Sequence, residues 1–206
     1  MTDHLSTTPN RSTSRASSVA ASAGLGVLAA VIGYLLTYLL IVGEVRTRIG
    51  GDVADWKGVA WYYYNAHLVD VEASGSIGGF GGIEAVNFIA QSGSTTADVL
   101  YVVPPLVLVT AGAALAYHLG ARDLGEAVAV GAPVTIGYVV VVGIGALVAE
   151  ASSEGSFFGV EATGSVAPAL LPAIVLGGVL YPLVFATAGA VAVTVLESLS
   201  SASGSR

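Results

Sequence analysis

PLVLVTAGA (residues 105–113) returns as PLVFATAGA (residues 182–190), with seven of nine residues identical at an offset of 77. The same offset aligns FGGIEA (residues 80–85) with FFGVEA (residues 157–162), so Glu84 falls on Glu161 and Pro105 on Pro182. A repeat at a fixed period governs the reading of a whole chain. Working outward, both TAGA blocks lie inside long uncharged stretches, and IGY recurs at residues 32–34 and 136–138 in two more. The four stretches run over residues 18–43, 99–119, 127–149 and 166–196. Each meets the roughly 20 apolar residues that a helix needs to cross a bilayer. The expected fold is therefore all-α, a polytopic membrane protein with four transmembrane helices arranged as two duplicated hairpins. Each unit reads as a helix, an outer loop carrying Gly-(Ile/Val)-Glu-Ala, and a proline-bearing helix. Both units enter the membrane from the same side, which implies a pseudo-two-fold axis along the membrane normal. The fourth stretch is longer than a straight crossing needs, so it tilts, kinks at Pro182, or starts outside the bilayer.

Composition agrees. The chain has 206 residues, 54% of them hydrophobic and 10% charged, against about 25% charged in soluble domains. No cysteine is present, which excludes disulfides and thiolate chemistry. A net charge of −7 excludes the basic stripe of a nucleic-acid binder. Few lysines, surplus acid and abundant Ala, Val and Gly suggest a halophilic source.

The domain plan follows. Residues 1–17, rich in Ser and Thr, are expected to be a disordered tail. Residues 18–198 form one transmembrane domain with repeat units at 18–119 and 124–196, and 199–206 form a flexible tail. The first apolar run is too long for a signal h-region, and its small residues precede the run, so it is read as an uncleaved anchor. Arg11, Arg15, Arg122 and Arg206 flank one set of span ends. The third connection carries Glu150, Glu154 and Glu161 and no base. The positive-inside rule then places both termini in the cytoplasm of a cell-membrane protein.

The first unit carries an insert at about residues 50–76, containing DWKGVAWYYYNAHLVDVE. Asp52 or Asp55 can cap a helix there. On a helical wheel Trp56, Tyr63, His67 and Asp70 share one side, while Trp61, Tyr64 and Leu68 share another. With Tyr62 as well, rings stand all round. This is the pattern expected of a short helix at the membrane–water boundary, where Trp and Tyr keep a polar tip wet. GSIGGFGG then reads as a flexible turn. In WKGVAWYYYNAHLVD (residues 56–70), VNFIA (residues 86–90) and YVVPP (residues 101–105) the chain resembles a family of uncharacterised haloarchaeal membrane proteins. The resemblance implies four helices and a haloarchaeal source, and it brings no activity and no functional residues.

Chemistry-bearing motifs are few. GLGVLA (residues 24–29) lacks a preceding strand and opens an apolar run, so its glycines read as helix-packing positions. There is no P-loop, HExxH or GxSxG. His67 and Asp70 with Tyr63 and Asn65 could form a relay or metal site, but one histidine and one carboxylate are few ligands. The preferred reading is a hydrogen-bonded cluster that holds the aromatic helix in place. Glu84 and Glu161 could line a cation entry. The preferred reading is that each caps backbone N–H groups within its own copy. Tyr34, Thr37, Tyr138 and Thr187 are read as polar glue between helices. Pro105 and Pro182 are read as kinks. No charged residue sits at mid-span, which counts against a pump. The expected function is a non-catalytic scaffold or accessory subunit without cofactor. Its partners are the lipid bilayer and either another membrane protein or a second copy. A small transporter or channel is the alternative.

Overall fold

The computed structural model describes residues 11–49, 51, 53–78, 80–157 and 160–203. Four helical runs in it are long and apolar enough to cross a membrane: Ala16–Arg48, Thr95–Leu119, Leu124–Val148 and Leu170–Ser200. The first belongs to α1 (Arg11–Arg48). Seven residues of the expected N-terminal tail are thus helical, and residues 1–10 lie outside the described residues. At the other end α9 (Tyr181–Ser203) extends into the expected C-terminal tail, of which residues 204–206 lie outside them.

Beyond the short α3 (Phe88–Ser92), the second run is built from α4 (Thr95–Val99), a 3-10 turn and α5 (Val103–Leu119). Pro104 and Pro105 occupy the first turn of α5, where a helix leaves N–H groups unbonded, so Pro105 sits at a change of helical pitch instead of mid-helix. The third run is α6 (Leu124–Gly131) followed by α7 (Val134–Val148). Asp123 caps α6 by accepting from the Glu126 N–H at 2.9 Å, and Glu126 reaches back to the Arg122 N–H at 2.9 Å. The fourth run is α8 (Leu170–Pro172), a π-helical stretch (Ala173–Leu180) and α9. Pro182, which has no N–H, stands where the π-helix gives way to α. Residues 166–168 of this apolar stretch are strand, and the helical run that follows is still 31 residues long.

The all-α expectation is corrected here. The first and third connections form one four-stranded antiparallel sheet, β1 (Val71–Ile77), β2 (Phe80–Val86), β3 (Ala151–Phe157) and β4 (Val160–Pro168), in the order β2-β1-β4-β3. GSIGGFGG is the turn and flanks of the first hairpin, with Gly78 at φ 59°. Glycine and serine alternating with Val, Ile and Phe carry too little hydropathy to mark a strand, and pairing partners lie far apart in sequence.

The helices pack through glycine. On α5, Gly112 lies against the Ala186 carbonyl of α9, and Gly189 of α9 lies against the Val109 carbonyl of α5, so closely that neither place has room for a Cβ. Gly112 with Gly189, and Val109 with Ala186, are both 77 apart. Likewise Gly26 of α1 lies against the Val134 carbonyl of α7, and Gly137 against the Ala23 carbonyl. Here the reciprocal positions are 111 apart, not the 104 of the IGY match. Gly24 of GLGVLA, by contrast, meets nothing. Thr37 bonds back to the Gly33 carbonyl of its own helix, so it does not join helices as expected, and the Thr187 hydroxyl is buried with no hydrogen-bond partner among the described residues.

Candidate functional site

The aromatic segment forms α2 (Asp55–Ala66), and Gly58 to Ala66 are all buried. It is a helix, as expected, but it is enclosed by the other elements. A helix with apolar side chains all round has no wet face, which is the physical reason it is wedged inside. Each ring serves a different neighbour. The Trp61 indole N–H donates to the Ala149 carbonyl at 3.0 Å, and its ring stacks on Phe88 at 5.6 Å. Tyr62 packs with Ile41, Val45, Ile89 and Leu100. The Tyr64 hydroxyl donates to the Val142 carbonyl at 2.6 Å. Tyr63 lies 2.9 Å, hydroxyl to hydroxyl, from Tyr138 and 3.2 Å from the Ala30 carbonyl. Trp56 alone remains largely exposed.

His67 caps the end of α2, wholly buried. Its Nδ1 is 2.7 Å from the Tyr63 carbonyl and its Nε2 is 2.7 Å from the Tyr138 hydroxyl. A carbonyl only accepts, so Nδ1 carries the proton and Nε2 accepts from Tyr138 O–H. The Tyr138 oxygen then accepts from Tyr63. Tyr63 has one proton for two acceptors, the Tyr138 oxygen and the Ala30 carbonyl, and the cluster is a neutral network buried among protein groups. Burial pulls the imidazole from its usual 6.5 down to about 4, outweighing the Tyr63 carbonyl bond that favours its charge. Burial likewise pushes the Tyr63 hydroxyl well up. Tyr181 completes the surround, its ring 5.0 Å from that of His67.

Asn65 does equal work at the opposite edge of α2. Its Nδ2 donates to the Val69 carbonyl at 2.9 Å, and its Oδ1 accepts from the Phe88 N–H at 2.8 Å. One side chain thereby ties the end of α2 to the entry of β1 and the exit of β2. Asp70 does not join His67: α2 ends at Ala66, Leu68 turns the chain with φ 59°, and Asp70 is exposed.

Glu84 and Glu161 depart furthest from expectation. Neither lies beside a helix end or a central cavity; both are exposed on strands. The first hairpin closes on the pair Ile77–Phe80 and the second on Phe157–Val160, 80 apart where the sequence match says 77. Glu84 pairs Ala73, which pairs Val166. Glu161 is five positions from Val166 on the same strand, an odd number, so it projects from the other face of the sheet. The two carboxylates are therefore neither a facing pair nor a pair of caps.

The faces of the sheet differ. One carries Glu72, Glu154 and Glu161 with the hydroxyl pairs Ser74–Ser165 and Ser76–Thr163, each at 2.8 Å. The other carries Ala73, Ile77, Phe80 and Val166, with Glu84 and Ser153, beside a glycine row, Gly82–Gly75–Gly164. Phe80 is 88% exposed and Ile77 67%. Strand alternation is a sequence signal that could have shown this, had these segments been read as strands.

No curated protein and no solved structure matches the chain. Over residues 1–197 it matches a family of unknown function (DUF7978), and to that family it belongs.

Proposed function

We propose that this protein is a multi-pass cell-membrane protein of haloarchaeal origin that acts as a non-catalytic scaffold or accessory subunit. In this reading both termini lie in the cytoplasm and the sheet stands outside. One observation carries it: the interior is closed. The helices meet carbonyl against glycine at both crossings, and α2 plugs the space between α1 and α7 with its polar groups bonded to protein. A conducting path needs a wet, continuous lining, and Glu84 and Glu161 do not supply one. The reciprocal glycine contacts support an internal duplication of the helical units. The hairpins, in the order β2-β1-β4-β3, repeat by a shift of two strands instead of a two-fold rotation.

The scaffold reading has a place to act, since the sheet face that carries Glu84 also projects Ile77 and Phe80 into solvent. Its natural occupant is a second copy, because the glycine row lets two such faces approach closely, as small residues do for helices. The test is the mass of the complex extracted from native membranes in mild detergent. A dimer or higher oligomer that falls to monomer in the Ile77→Asp/Phe80→Asp variant supports the reading. A wild-type monomer at all concentrations overturns it. The transporter or channel alternative rests on the paired helical units and is decided by flux.

A further inference from the structure

α1 and α7 touch at Gly26 and Gly137. Further along, α2 stands between them, its Tyr63 hydroxyl reaching both Ala30 and Tyr138. α2 does not fill the whole space. A cavity of about 240 Å³ remains, walled by Val31 and Tyr34 of α1, Trp56 of α2, and Val141, Gly145 and Val148 of α7. Its mouth is lateral, between two of the long apolar helices, because Val31, Trp56 and Val148 are among the exposed residues. Its polar groups are already committed. Tyr34 donates to the Trp56 carbonyl at 2.9 Å, and the Tyr64 hydroxyl to Val142. Ordered water needs two to four polar partners, and this space offers none. Below the roughly 300 Å³ of a drug-sized site, it suits one hydrocarbon chain better than a ring system.

A cation stands beside one end, across the Trp56 ring, in the adjoining cleft beneath the sheet. Lys57, the sole lysine of the chain, holds its ammonium 5.5 Å from the centre of the Trp56 ring and donates to the Glu150 carbonyl, two residues beyond Val148. Among the described residues no carboxylate lies within ion-pair distance of it, since Asp55 is taken by Arg46 at 2.6 Å. An ammonium has three donors, so capacity for an anion remains. We propose that the groove holds one hydrocarbon chain of an anionic membrane lipid, with the headgroup against Lys57. The proposal goes beyond the scaffold reading and rests only on the four helices being spans.

The experiment is native mass spectrometry of the detergent-extracted, delipidated chain titrated with phosphatidylglycerol or phosphatidylcholine of identical chains. The expected result is one retained phosphatidylglycerol at a several-fold lower concentration than phosphatidylcholine. Val31→Trp, which fills the mouth from an exposed position, should abolish retention of both. Lys57→Gln, which keeps a donor for Glu150, should make the two lipids equal. Equal retention of both lipids by wild type, or retention unchanged by either substitution, overturns the site. A chain that purifies without detergent overturns the spanning reading itself, which separates the two failures.

Discussion

The Tyr138 hydroxyl donates to Nε2 of His67 at 2.7 Å, in a place reached by no water-facing surface of either residue. The two side chains come from different elements, so the bond locks α2 to α7. It also fixes the imidazole as neutral, which gives the protein a definite response to acid.

That response is a loss of stability below neutral pH. His67 titrates near 6.5 in the unfolded chain and at about 4 when folded. Its folded-state pKa is depressed, so protons favour unfolding. The contribution is full above about pH 6.5 and falls by up to about 3 kcal/mol as pH drops to about 4. Detergent unfolding curves measured across this range should show the fall in wild type and a shallower one in His67→Gln. Parallel curves for the two proteins count against the assignment.

Asn65→Leu should destabilise by at least about 2 kcal/mol, because it strands the buried Phe88 N–H and Val69 carbonyl together. Asn65→Asp, which keeps the acceptor but puts a fully buried carboxylate against the Val69 carbonyl, should cost at least as much. If Asn65→Leu unfolds at the wild-type temperature, the tie between α2 and the sheet is unimportant.

The glycine crossings make a graded set. Gly112→Leu, Gly189→Leu, Gly26→Leu and Gly137→Leu each force helix backbones apart and should lose most folded protein in detergent, as seen by monodisperse gel filtration. Gly24→Leu and Gly43→Leu, with nothing within 4 Å of the added carbon, should behave as wild type. A wild-type profile for Gly112→Leu removes the close α5–α9 contact.

Single cysteines test the orientation. A cysteine at Ser153, on β3, should react with an impermeant maleimide from outside intact cells. One at Ser200 should react only after the membrane is opened. The reverse pattern inverts the topology.

How much of this was legible beforehand depended on the kind of signal. Long apolar runs and the TAGA repeat are local and dense, so the four helices and the equivalence of Gly112 with Gly189 could be read directly. The strands could not. Residues 71–77 and 151–157 are rich in Ser, Gly and Glu, and their pairing is set by partners as far away as Val71 and Pro168. Missing the hairpins made Glu84 and Glu161 look equivalent, although a three-residue slip in the closing pairs sends them to opposite faces. The burial of α2 was missed for a different reason. Rings on every side were visible in residues 56–64, but they were assigned to a wet boundary when they indicate burial on every side. His67 and Tyr138 each stand out in the sequence, one in the aromatic insert and one as polar glue between helices, but nothing local joins them across 71 positions.

The central claim is that this membrane bundle is closed, and cation flux into liposomes tests it most directly. With purified protein, the account expects wild type, Glu84→Gln and Glu161→Gln all to match protein-free liposomes across neutral and acid pH. Robust wild-type flux that falls in both variants would contradict the scaffold reading and establish a channel.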